Sequence, residues 1–89
     1  MPRHTENALT DRKIQNAKPT IKQFKLFDGK GLFLLIHPNG SKYFRWDYTF
    51  EGKRKTLALW VYPETTLKQA REERLEAQKT LREGEDPIE

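Results

Sequence analysis

Residues 42–56, KYFRWDYTFEGKRKT, crowd aromatic and cationic side chains around one Glu-Gly pair. Alternation separates the two classes. Phe44, Trp46, Tyr48 and Phe50 share one parity, and Tyr43, Arg45, Asp47 and Thr49 share the other. That period of two marks a strand half-buried in a sheet. Glu51-Gly52 supplies a two-residue hairpin loop. It would pair Phe50 with Lys53, Tyr48 with Lys55, Trp46 with Leu57, and Phe44 with Leu59. The aromatics then share a buried face with Leu57 and Leu59, while Arg54, Thr56 and Ala58 cross the face of Arg45. Lys53 and Lys55 fall on the core side close to the hairpin tip, where long stems run over apolar surface and bring their charge to water.

A two-stranded ribbon of this kind fits the major groove of DNA. Arg45, Arg54 and Thr56 would approach base edges, and Lys42, Lys53 and Lys55 at the two ends would meet phosphates. Tyr43 and Thr49 complete the candidate DNA-binding set. The competing structural reading is that these charges simply occupy the wet face of an antiparallel sheet. RNA binding by base stacking is less favoured, because the best aromatic stripe is needed for the core and leaves mainly Tyr43 and Trp60.

Other chemistry is poorly represented. Asp28-Gly29-Lys30-Gly31 lacks the spacing and following helix of a phosphate loop and reads as a turn. His4 and His37 stand alone, and no Ser-His-Asp grouping occurs. The expectation is a non-enzymatic chain with no catalytic residue, metal site or cofactor.

The 89 residues make at most one small domain with a limited core. Net charge is +4, divided into +7 over residues 1–62 and −3 over residues 63–89. A basic front with an acidic tail suits an anionic partner on one face. The absence of cysteine rules out disulfides and thiolate zinc sites and fits a reducing cytosol. No apolar run approaches a membrane span, and the N-terminus lacks a signal-peptide core, so no membrane partner is expected.

The elements that would position the hairpin follow from local signals. Residues 1–8 have no periodicity and read as a disordered lead. Thr10 is an N-cap, with Leu9 and Ile14 at hydrophobic-staple positions, and Pro19 ends the short helix. Phe24 and Leu26 alternate with Lys25 and Phe27 in a strand, followed by an Asp28-Gly29 turn. LFLLIH, residues 32–37, is a buried strand, and PNGS is a turn. Residues 53–60 form the return strand of the hairpin. Pro63 breaks it, and Thr66 with Gln69 has capping-box spacing for a helix over residues 67–83. Leu67, Ala70, Arg74, Ala77 and Leu81 lie near one stripe of that helix, with Leu75 beside it. Arg71, Arg74 and Lys79 interleave with Glu72, Glu73 and Glu76 as surface pairs, and Gly84 suits the left-handed position past the end. The expected fold is α+β: a short N-terminal helix and a three- to four-stranded antiparallel sheet packed on one longer C-terminal helix, with the other sheet face open.

Taken together, LTDRKIQNAKP, KLFDGKGLFLLIHPNGSKYFRWDY, GKRKTLAL and YPETTLKQARE resemble the N-terminal domain of tyrosine-recombinase integrases carried by prophages, phage satellites and genomic islands. The resemblance spans roughly residues 9–87, and GEDP resembles the junction with the family's next domain. It implies a DNA-binding domain over residues 9–83 for the attachment-site arms, and residues 84–89 as the start of a linker to core-binding and catalytic domains. It also implies a bacterial cytoplasmic, nucleoid-associated setting. An accessory DNA-bending protein, an excisionase or other integrase protomers are the implied protein partners, and an interaction module built on the acidic helix and Trp60 is the alternative function. One departure stands out. The family often has glycine at the position of Trp60, so this chain is expected to take a different local backbone path there.

Overall fold

The computed structural model describes residues 9–88; the expected N-terminal lead, residues 1–8, lies outside them. Six elements follow in order: α1 (Asp11–Asn16), β1 (Phe24–Gly29), β2 (Leu32–Ile36), β3 (Lys42–Phe50), β4 (Lys53–Tyr62) and α2 (Leu67–Arg82). The strands form one antiparallel meander in the order β1-β2-β3-β4. Both helices share in the core on one face of that sheet, the α+β arrangement expected from the sequence.

Local chemistry sets the helix boundaries. The Thr10 hydroxyl accepts the Lys13 N–H at 3.1 Å, and Leu9 and Ile14 are both buried in the core. The capping box at α2 is complete: Gln69 N–H donates to the Thr66 hydroxyl at 3.2 Å, and Thr66 N–H donates to the Gln69 side chain at 2.9 Å. Past its last turn, Gly84 takes φ +90°, with Gly84 N–H on Leu81 O and Glu85 N–H on Thr80 O. These are the two bonds of a Schellman end.

The core is built from alternate strand residues. Leu32, Leu34 and Ile36 of β2, Phe44, Trp46 and Tyr48 of β3, and Leu59 of β4 cluster with Leu67, Ala70 and Ala77 of α2. Trp46 and Tyr48 stack at 4.9 Å between ring centroids. Arg74 lies in the same stripe, 5% exposed, and donates to Gln78 at 2.9 Å. Its place is therefore interior rather than in the surface pairs that charge interleaving suggests.

Asp28 corrects another expectation. The β1–β2 turn falls at Lys30-Gly31, and Asp28 sits at a register shift between Phe27 and Gly29. Its carboxylate, 1% exposed, accepts from Leu9 N–H at 2.8 Å and from Arg71 Nε and Nη2 at 3.0 and 2.8 Å. Arg71 Nη2 also reaches Leu9 O at 2.9 Å. One buried carboxylate thus ties the start of α1, the first strand and α2 together. Gly31 closes the turn against β3, where an added Cβ would come within 2.4 Å of Asp47 O.

The hairpin keeps its expected register from Phe50↔Lys53 to Arg45↔Ala58, around Glu51 and Gly52 at φ +51° and +78°. Both central residues at positive φ are the requirement of a type I′ turn. The register then shifts. Tyr43 pairs with Val61, so Leu59 and Trp60 together oppose Phe44. This β-bulge replaces the simple Phe44–Leu59 pair. Trp60 itself has φ +84°, a backbone that side chains rarely adopt. It therefore holds a left-handed conformation of the kind that glycine adopts without steric cost. The Tyr62–Pro63 peptide is cis.

Candidate nucleic-acid interface

The sheet face opposite α2 carries Lys25 and Phe27 from β1, Phe33 and Leu35 from β2, Tyr43, Arg45, Asp47 and Thr49 from β3, and Arg54, Thr56, Ala58 and, past the bulge, Val61 from β4, with Trp60 of the bulge beside Arg45 and Ala58. Strand pairing lays them side by side: Lys25↔Leu35↔Tyr43 and Phe27↔Phe33↔Arg45 across three strands, then Arg45↔Ala58, Asp47↔Thr56 and Thr49↔Arg54.

Among the described residues no helix covers this face, yet its centre is dry. Phe33 and Leu35 are 3% and 7% exposed. Their neighbours provide the cover: Lys25 Nζ lies 4.7 Å from the Phe33 ring centroid, and Phe27 packs on Phe33 at 6.0 Å. Amphipathic side chains can shelter apolar surface while keeping a charged or polar end outward. The face is therefore an apolar centre beneath a cationic and aromatic layer.

Arg45 lies over the Tyr43 ring, with Cζ 5.7 Å from its centroid, and its Nε is shut off from solvent without a hydrogen-bond partner. Asp47 accepts from the Thr56 hydroxyl at 2.6 Å and faces Arg54 Nη2 at 4.0 Å, with the Arg54 side chain 84% exposed. A pair so open holds little energy, so Arg54 is free to turn to another anion. Asp47 did not enter the expected site set, although its alternation parity between Arg45 and Thr49 placed it on this face.

The sequence-derived candidates divide by location. Tyr43, Arg45, Thr49, Arg54 and Thr56 share the open face, and Lys53 is exposed beside the hairpin tip. Lys42 and Lys55 point to the other side. The Lys42 amino group donates to Ile14 O at 2.7 Å, near the end of α1. The Lys55 amino group donates to Asp86, which also accepts from the Tyr48 hydroxyl. Those bonds from Lys55 and Tyr48 hold the Asp86 carboxyl down at about 2. Burial, reinforced by the Asp86 hydrogen bond, pushes Tyr48 up to about 12. Lys42 and Lys55 would have to leave these partners before meeting a phosphate. Among the described residues no cluster of His, Cys, Asp and Glu could hold a metal ion, and no helix is long and apolar enough to cross a membrane.

A meander of four strands, backed by helices on one face and bare, arginine-bearing and aromatic on the other, defines an open-faced α+β binding domain. Residues 9–89 match the family model described as "Arm DNA-binding domain". The chain belongs to that family. It is 41% identical over 87 residues to "Prophage integrase IntZ" of Escherichia coli K12, covering 96% of this chain and 22% of that protein. It is 44% identical over 81 residues to the "Integrase" of Enterobacteria phage P4, covering 89% and 18% respectively. "Putative protein IntB" of Escherichia coli K12 is 61% identical over 56 residues, 63% of this chain and 14% of that protein. The chain thus spans about a fifth or less of the length of these relatives.

Proposed function

We propose that this domain docks its open sheet face in the major groove of duplex DNA and recognises arm-type sites of a mobile element during integration and excision. The observation that carries this reading is the uncovered face itself, with Arg45, Arg54, Thr49 and Thr56 on adjacent strands opposite the helices. Arg45 and Arg54 read base edges, Tyr43 and the threonines assist, and Lys53 meets a phosphate at the hairpin tip. The domain contributes recognition and no bond-making group. On this reading core-site binding and strand exchange belong to other domains of an integrase, and the domain works in the bacterial cytoplasm at the nucleoid.

The test is titration of the protein with an attachment-site arm duplex beside a scrambled duplex, repeated with Arg45→Ala plus Arg54→Ala. Tight binding to the arm duplex alone, lost in the double variant, is the expected result. With about five phosphate contacts, log K should fall against log salt with a slope of roughly −4 to −5. Equal weak binding to both duplexes, unchanged in the double variant, would overturn the reading, and a flat salt dependence would count against it.

A second reading, contact with an accessory bending protein, an excisionase or another integrase protomer, draws on α2. Leu75 is 56% exposed there, beside a shallow groove that it lines with Gln78, Lys79 and Arg82. Analytical ultracentrifugation with the remaining integrase domains tests it, and absence of association at high micromolar concentration counts against it.

A further inference from the structure

At the end of the β3–β4 ribbon away from the hairpin tip, the open face holds a depression of about 200 Å³. Tyr43, Phe44, Arg45, Ala58, Trp60 and Val61 line it, so its walls are mostly apolar, with Arg45 the one charged residue. Trp60 is 68% exposed and stands on the bulge at φ +84°. Packing does not account for a large side chain that stays mostly in water on a strained backbone, and retained strain of this kind points to function. Arg45 is set against the Tyr43 ring, its Nε sealed and unpartnered, and among the described residues no carboxylate pairs with it. Its guanidinium thus lies beside the apolar hollow with no counter-charge of its own.

The major groove presents one apolar feature, the thymine C5-methyl, and the commonest specific arginine contact there is with guanine O6 and N7. We propose that the depression receives a thymine methyl group, that Arg45 engages a neighbouring guanine, and that Trp60 is the residue that sets the thymine preference. This rests on the reading of the open face as a major-groove surface. Ala58, paired directly with Arg45, keeps the hollow from being filled by a larger side chain.

The experiment begins with duplexes selected by the protein from a random library. In the best duplex each thymine is replaced in turn by deoxyuridine, which removes only the methyl group. One position should weaken binding by about fourfold, the worth of one buried methyl. Trp60→Gly, and Trp60→Ala as a second variant, should bind the thymine and deoxyuridine duplexes at that position equally. At the adjacent guanine, 7-deazaguanine should weaken binding of the native protein and leave Arg45→Ala unaffected. The proposal is overturned if no thymine methyl matters to the native protein, or if both Trp60 variants keep the preference. In those cases loss of binding to the selected duplex in Arg45→Ala plus Arg54→Ala still upholds the open-face reading. If no duplex is selected above bulk DNA, both fall together.

Discussion

Trp60 offers a test in which glycine should stabilise one position of β4 and destabilise another two residues away. A non-glycine residue in left-handed backbone costs about 1–2 kcal/mol, and Trp60 lies at φ +84°. Trp60→Ala removes the indole but keeps a Cβ, so most of that cost remains. Trp60→Gly removes the cost and adds back about 0.4–1 kcal/mol through the greater freedom of the unfolded chain. The glycine variant should therefore be more stable than the alanine variant by about 0.5–1 kcal/mol. Ala58 is on the same exposed face but has no positive φ. Ala58→Gly should accordingly lose about 0.5–1 kcal/mol. For a domain of this size each 1 kcal/mol moves Tm by about 4–8 °C, within reach of thermal melts followed by circular dichroism, with urea melts checking that the m-value is constant. If Trp60→Ala proves as stable as Trp60→Gly, the bulge is unstrained and the argument from backbone cost fails.

Three other perturbations follow from the packing. Asp28→Ala would leave the Leu9 N–H unpaired and Arg71 with only Leu9 O and water, and urea melts should register a loss of about 2–3 kcal/mol, below the range for a fully buried ion pair because the Arg71 side chain is 28% exposed. Gly31→Ala would drive a Cβ into Asp47 O at a residue with φ +87°, and the same melts should show a loss of about 2–4 kcal/mol. The Asp86 carboxyl is held at about 2, below its ordinary 3.8, so its stabilisation is complete above about pH 4 and is lost as pH falls toward 2. Tyr48 has the opposite sign, being raised to about 12 from 10, so its share is complete below pH 10 and lost as pH rises toward 12. Asp86→Asn should flatten the acid limb, and native-state titration of tyrosinate absorbance should place one tyrosine near the upper value.

Much of this architecture was legible because it is encoded locally. The Glu51-Gly52 turn fixes the hairpin register from Phe50 down to Arg45, and Thr66 with Gln69 marks the start of α2 within the sequence itself. The open face followed from parity alone. What escaped depends on residues far apart in the chain. Asp28 looked like turn chemistry, because its partner Arg71 lies 43 positions away and no local pattern announces it. The bulge at Leu59 and Trp60 shifts one strand by a single residue, which an alternating pattern cannot register in advance. The parity of Lys55 put its backbone on the correct side, but the direction of its amino group was decided by Asp86, and that of Lys42 by the Ile14 carbonyl.

The bulge also bears on strand addition at the edge of the sheet. β4 is the longer of the two edge strands, ten residues long, and its outer side carries backbone donors and acceptors that could template strand addition from another copy. Lys53 and Arg54 oppose such addition at one end by charge repulsion, and the kink at Leu59 and Trp60 breaks the straight run at the other. The cations proposed to serve recognition are thus also gatekeepers against aggregation. Removing the charge of this run would weaken DNA contact and solubility together, so neutral variants of the tip should precipitate at lower concentration than charge-reversed ones.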